Sequence, residues 1–281
     1  MLKFGVGITT CGRPETFSQC INTLLKNDLS DVGVEVFQDG TICHITGEHR
    51  ADEAKNEESR GLFAQSSIPN KGWHQQGQNI GYYLNRFDML DYMGKNYDAF
   101  LAMEDDVIVS SHMVRVVRQL LNQFGNDPRV GLINPGQMML CRPEDRDKNW
   151  DAVTINEGRT TRLCIDAMTA ETWHQIEPNY RRYGEIIAIT PYHNIGIEPA
   201  RDAVAAWARS LGSDLLEVSG DTALLRAILL IGKQRLFTIV NRATNIGDYG
   251  LNCTPAILAQ LGDGHQPIYE DEPDIQEFRV I

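Results

Sequence analysis

The chain has 281 residues, of which 42% are hydrophobic, enough for one large core, although a length prior of about 150 residues per domain also allows two domains. Its 38 acidic and 26 basic residues leave a formal charge of −12, which excludes a strong non-specific grip on DNA or RNA. No apolar run approaches the roughly 18 residues needed to span a bilayer, and the N-terminus enters a strand-like run without signal-peptide architecture, so the expectation is a cytoplasmic protein without a membrane span. Six cysteines, at positions 11, 20, 43, 141, 164 and 253, show neither a CxxC pair nor zinc-ligand spacing and are expected to be reduced and mostly buried.

In chain order, Phe4 to Thr9 reads as a buried strand, followed by a turn at Thr10-Cys11-Gly12-Arg13-Pro14 and a helix in which Phe17, Cys20, Ile21, Leu24 and Leu25 share a face. Val32 to Phe37 predicts a second strand, ending at the turn Gln38-Asp39-Gly40. Residues 46 to 78 are polar and carry no clear period. Asn79 to Met93 predicts a helix with Ile80, Leu84, Phe87 and Leu90 on one side. A strand over 99–103 leads into Glu104-Asp105-Asp106; Ser110-Ser111 is placed to cap a helix bearing Met113, Val117, Leu120, Leu121 and Phe124; Val130 to Asn134 predicts another strand. The second half is less regular, with Trp150, Trp173, Trp207, Tyr180, Tyr183 and Tyr192 in loop-like sequence, either as core anchors or as stacking surfaces. Arg159, Arg162, Arg181 and Arg182 could form a local basic groove or be scattered surface residues.

Alternating strands and helices imply a mostly parallel α/β sheet, and in such sheets ligands sit beyond the carboxyl ends of the strands. Thr9, Asp39 and Glu104 to Asp106 all fall there. Three consecutive carboxylates after an apolar strand are costly to bury unpaired. Mn²⁺ or Mg²⁺ takes one or two carboxylates from a protein and the rest from water and phosphate, which makes a nucleotide phosphate the matching ligand. The plain alternative is a solvated acidic turn.

Four blocks, in order, resemble the GT-A-fold nucleotide-sugar glycosyltransferases, especially inverting family 2 and the related N-acetylglucosaminyltransferase I type. They are Gly7-Ile8-Thr9-Thr10-Cys11-Gly12-Arg13-Pro14, Val34-Glu35-Val36-Phe37-Gln38-Asp39-Gly40, Asn79-Ile80-Gly81 with Arg86, and Ser219-Gly220-Asp221-Thr222-Ala223-Leu224-Leu225-Arg226. Glu104-Asp105-Asp106 is similar to the DxD-type metal block. Gly220 stands where family 2 usually has glutamate, and Asn245 to Asn252 looks more like a closing loop found near the N-acetylglucosaminyltransferase I type.

The resemblance implies a GT-A (Rossmann-like) mixed, mostly parallel sheet flanked by helices, with an irregular acceptor-side C-terminal part. One domain over 1–281 is expected, with residues 1–135 binding the nucleotide sugar and 136–281 carrying the acceptor side and the base. The implied activity is metal-dependent inverting transfer from a nucleoside diphosphate sugar, UDP-sugar foremost, to an acceptor hydroxyl by a hexosyl- or pentosyltransferase. Asp106 is the implied metal ligand and Asp221 the general base, with Thr9, Arg13, Asp39, Asn79, Arg86, Glu104 and Asp105 on the donor. Asp39 is expected at the nucleobase, Arg13 and Arg86 near phosphate, and Glu104 and Asp105 at ribose, sugar or metal-bound water. Without the resemblance, Asp221 reads equally as a helix N-cap, Asp39 as a turn aspartate and His265 as a solvated histidine rather than a further metal ligand. A glycan acceptor is favoured, with a hydroxymethylated DNA base or a protein as alternatives. A non-catalytic nucleotide- or carbohydrate-binding module and a sugar nucleotidyltransferase are the competing classes, the latter lacking its glycine- and arginine-rich opening ending in lysine between Gly5 and Pro14.

Overall fold

The computed structural model describes residues 2–136, 143–157, 164–191, 194–247, 268–270 and 277–281. Its elements are β1 (Phe4–Thr10), α1 (Pro14–Leu24), β2 (Val32–Gln38), α2 (Glu53–Gln65), β3 (Asn70–Gln75), α3 (Tyr82–Asn96), β4 (Ala99–Glu104), β5 (Val107–Val109), α4 (Met113–Phe124), β6 (Val130–Asn134), α5 (Arg146–Asn149), β7 (Ala152–Asn156), β8 (Ile165–Thr169), α6 (Ala170–Ile187), α7 (Ala200–Ser210), α8 (Gly220–Leu230), β9 (Gln234–Thr238), β10 (Ala243–Asn245) and β11 (Arg279–Val280). The large sheet has the order β11-β7-β9-β6-β8-β4-β1-β2-β3, and β10 pairs with β5 in a separate ribbon. Strands β3, β2, β1 and β4 run parallel; β8 is antiparallel to both β4 and β6, and β6 is parallel to β9. This is the expected mixed, mostly parallel α/β sheet flanked by helices.

The sheet is covered on both faces, which is why its central strands read as unbroken apolar runs. Alternation along β4 sends Ala99, Leu101 and Met103 into a core with α1, α2 and α4, and Phe100 and Ala102 into a second core with α3, α6 and α8. Gly12, at φ +62°, reverses the chain between β1 and α1 in a conformation that L side chains rarely adopt.

Several boundaries differ from the sequence expectation. The helix expected over 79–93 runs from Tyr82 to Asn96, because residues 79–81 are drawn out of helical geometry to bond Asp39. The polar stretch 46–78 contains α2 and β3; Asp52 caps α2 by accepting the Ala54 N–H at 2.9 Å, and Lys71 of β3 donates to the carbonyls of Phe63, Ala64 and Ser66 at its other end. Ser110 and Ser111 do not cap α4; the N–H of Val114 is taken instead by the Asn27 side chain at 3.0 Å. Trp173, Tyr180 and Tyr183 lie in α6, not in loops, and are fully buried core anchors, while Trp207 lies in α7. Tyr192 falls outside the described residues. Arg181 and Arg182 pair with Glu177 and Glu185, which neutralises that half of the expected basic groove; Arg159 and Arg162 lie outside the described residues. Cys11, Cys20, Cys43 and Cys164 are not joined in disulfides, and Cys141 and Cys253 lie outside the described residues. No described helix is long and apolar enough to cross a membrane.

The two-sided core makes one helix position intolerant. A Cβ on Gly94 would lie 2.2 Å from Cδ1 of Trp173, whose ring is fully buried. Gly94→Ala, which at an open helix position would stabilise by ~1 kcal/mol, is expected to destabilise by ~1–3 kcal/mol in urea unfolding through overpacking.

Candidate active site

The carboxyl ends of β1, β2 and β4 lie side by side, since Thr9 pairs with Phe37 on one side and with Glu104 on the other. Asp39 leaves β2 with only 3% of its surface exposed. Its Oδ1 accepts the N–H groups of Gly40 and Ile80, both at 2.9 Å, and its Oδ2 accepts the Asn79 amide at 2.9 Å and the Gly81 N–H at 3.0 Å. Four donors fill the four acceptor positions of one carboxylate. Burial nonetheless pushes Asp39 up to about 6 against those bonds. Asn79 also donates to the Gly40 carbonyl at 3.0 Å, so Asp39 and Asn79 together lock the turn that precedes α3.

The three acids after β4 have separate surroundings. Asp105 is fully buried and accepts the Thr10 hydroxyl at 2.7 Å, the Cys11 N–H at 3.4 Å and one arm of the Arg13 guanidinium. Burial pushes its carboxyl up to about 6 while Arg13 pulls the other way. Asp106 accepts the other arm of Arg13 on Oδ2 at 2.7 Å and the Asn245 amide on Oδ1 at 2.9 Å. The β5–β10 ribbon brings Asn245 there, and a Cβ on Gly247 would lie 2.1 Å from Asp106 Oδ2. Glu104 accepts the Tyr82 hydroxyl at 2.7 Å, and burial with Asp106 and Asp221 nearby pushes it up to about 8.

Asp221 approaches from α8. Ser219, not Asp221, is the N-cap, its hydroxyl accepting the Thr222 N–H at 3.2 Å. Asp221 therefore sits in the first helical turn with its carboxylate partly open to solvent and 3.4 Å from Arg86 Nη1. The same Nη1 donates to the Tyr82 hydroxyl and lies 3.7 Å from Glu104 Oε1. Arg86 is buried, 3% exposed, so it bridges the two acids from beneath instead of presenting a free guanidinium to phosphate.

Of the residues singled out from the sequence, Arg13 thus pairs with Asp105 and Asp106, and Arg86 with Glu104 and Asp221, two groups that adjoin where Glu104 precedes Asp105 in the chain; Asp39 and Asn79 form a third at the end of β2; Thr9 contributes its carbonyl, accepting the Asp105 N–H at 3.1 Å. His265 and residues 248–252 lie outside the described residues. Sequence reasoning missed Thr10, Tyr82 and Asn245, each of which bonds one of the acids; Thr10 and Tyr82 stand next to Thr9 and Gly81, inside blocks already singled out. Among the described residues, the cations that pair with Glu104, Asp105, Asp106 and Asp221 are the guanidiniums of Arg13 and Arg86. No three His, Cys, Asp or Glu side chains among the described residues form a metal cage. A hard divalent ion here would take Asp106 and complete its shell from phosphate and water, and the surplus of negative charge fits such an ion.

No protein-family model matches the chain, and no curated protein matches it. Among solved structures it is similar to the mannosyltransferase PcManGT from Pyrobaculum calidifontis in complex with GDP-Man and Mn²⁺, with TM-score 0.48 and 12% identity over 82% of this chain and 74% of that one. It is also similar to S. aureus TarS 1-349, with TM-score 0.49 and 10% identity over 92% and 63% of the two chains. For that protein in complex with UDP the TM-score is 0.48 and the identity 10% over 86% and 60%. At these scores the likenesses assign no residue and no substrate.

The raised acids set a pH dependence. Asp39, Asp105 and Glu104, together with Asp166, buried on β8 against Arg235, bind their protons more tightly folded than unfolded, so their deprotonation disfavours the native state as pH rises through about 4 to 8. In EDTA the thermal midpoint is expected to fall between pH 5.5 and 8.5, by roughly 2–4 °C per kcal/mol of linkage, as read by scanning calorimetry. A flat or rising profile would contradict this account of the cluster.

Proposed function

We propose that this chain is a divalent-metal-dependent, inverting glycosyltransferase of the GT-A type, moving a sugar from a nucleoside diphosphate sugar, UDP-sugar foremost, to an acceptor hydroxyl. The observation that carries the proposal is the joining, through Arg86, of an acid cluster at the carboxyl ends of parallel strands to a separate, solvent-open carboxylate, Asp221. Displacement at an anomeric carbon needs both: charge neutralisation for the departing diphosphate on one side and proton removal from the incoming hydroxyl on the other.

Asp106 would hold Mn²⁺ or Mg²⁺, which when bound supplies Lewis-acid neutralisation of the leaving diphosphate. Glu104, oriented by Tyr82, faces the same end and is assigned to the donor's ribose or sugar hydroxyls. Thr9 and Asp105 shape the turn below the phosphates, with Asp105 acting through Arg13. Asn79 and Asp39 are assigned to the nucleobase end; a base N–H reaching Asp39 exchanges with one of its four present donors. Asp221 takes the proton of the acceptor hydroxyl, and Arg86 fixes the orientation of its carboxylate from below. The net charge of −12 favours a glycan over a DNA acceptor.

Calorimetry is expected to show UDP binding that requires Mn²⁺ or Mg²⁺ and is lost in Asp106→Ala; metal-dependent binding retained in that variant would overturn the assignment. Asp221→Asn is expected to bind donor normally and to lose transfer by about 10²–10⁴-fold. Normal turnover of that variant would remove Asp221 as the base. Donor binding without hydrolysis or transfer in the wild-type chain would favour a binding module.

A further inference from the structure

Arg13 occupies an unusual position for a residue of a donor-binding turn. Its guanidinium spans Asp105 and Asp106, donating Nη2 to Asp105 Oδ1 and Nη1 to Asp106 Oδ2 at 2.7 Å. The two ends of this fork are not equivalent. Asp105 is fully buried, and its other oxygen already accepts Thr10 and Cys11, so it is an anchor. Asp106 is also buried, its side chain 7% exposed, but among the described residues its Oδ2 bonds Arg13 alone. The Arg13 side chain keeps 36% of its surface exposed.

We infer that Arg13 is a displaceable cation, which holds Asp106 while no divalent ion is bound and, when one binds, pivots on Asp105 to turn its freed N–H groups toward the diphosphate of the donor. The inference rests on the assignment of Asp106 to a metal–nucleotide site. A guanidinium and a divalent ion cannot share one carboxylate oxygen without strong like-charge repulsion. The buried, saturated Asp105 cannot take the ion in its place. Asp105, Asp106 and Arg13 sum to one negative charge; a divalent ion converts this to one positive charge with the Nη1 donors of Arg13 unsatisfied, which is a site for a phosphate anion. Metal and nucleotide therefore bind with positive coupling, and Arg13 carries that coupling.

The test is a titration of the full chain with Mn²⁺, without and with UDP, followed by the electron paramagnetic resonance of free Mn²⁺. Arg13→Gln is expected to bind Mn²⁺ alone at least about fivefold tighter than wild type, and to lose at least about fivefold of the enhancement that UDP gives. Arg13→Lys keeps one charge but cannot span two carboxylates, is expected to fall between the two, and serves where the glutamine variant does not fold. Mn²⁺ affinity no higher in both variants, or unchanged coupling to UDP, would overturn the proposal. Failure of wild type to bind Mn²⁺ even with UDP would instead overturn the metal–nucleotide assignment, and the proposal with it.

Discussion

The constraint on which this site depends is buried negative charge. Parallel packing of β1, β2 and β4 brings Asp39 and the Glu104 to Asp106 cluster together at the carboxyl ends of strands whose sheet is covered on both faces. Each acid must then be satisfied by something the chain supplies. Asp39 is satisfied by backbone N–H groups and an amide, Asp105 by a hydroxyl, an N–H and a guanidinium, and Glu104 by a phenol that Arg86 in turn bonds. Local details far apart in sequence follow from this. The chain stays out of helical geometry until Tyr82 because residues 79–81 serve Asp39, and Gly247 is without a side chain where Asp106 needs the room.

Arg86 connects the two halves. It is buried on α3, between the strand ends and α8, with Asp221 and Glu104 both within 4 Å of one nitrogen. A buried charge of this kind costs stability unless all its surroundings cooperate, and here the cooperation links an acid of the sheet to an acid of α8. In the proposed reaction this link would set the spacing between the leaving-group side and the acceptor side, which in-line displacement requires.

Much of the N-terminal half of the fold was legible because strands β1 and β4 are buried almost throughout and helices α1 and α4 bury a regular stripe. What stayed hidden had physical causes. Helix α2 buries only Asn56, Ser59 and Phe63, so it carries almost no periodic signal. Helix α6 contains Pro178 and large aromatic residues that read as loop, although Trp173, Tyr180 and Tyr183 pack the second core. In the site, the adjacency of Glu104, Asp105 and Asp106 was plain, but which groups each of them bonds was not, because that depends on Arg13 and Asn245 arriving from elsewhere. Thr10 bonds Asp105 through its side chain and Thr9 does so through its backbone, because neighbouring strand residues point to opposite faces. Two residues earlier in its helix, Ser219 takes the capping role that Asp221 was equally suited to.

The central claim is that the surplus of carboxylate at these strand ends exists to hold a divalent ion against a nucleoside diphosphate. The most direct measurement is an anomalous difference map from crystals soaked in Mn²⁺ and UDP. The account predicts a single strong peak bonded to Asp106 and to the diphosphate, with Asp221 across the site still on Arg86. UDP bound at these strand ends with no anomalous peak beside Asp106 would contradict it.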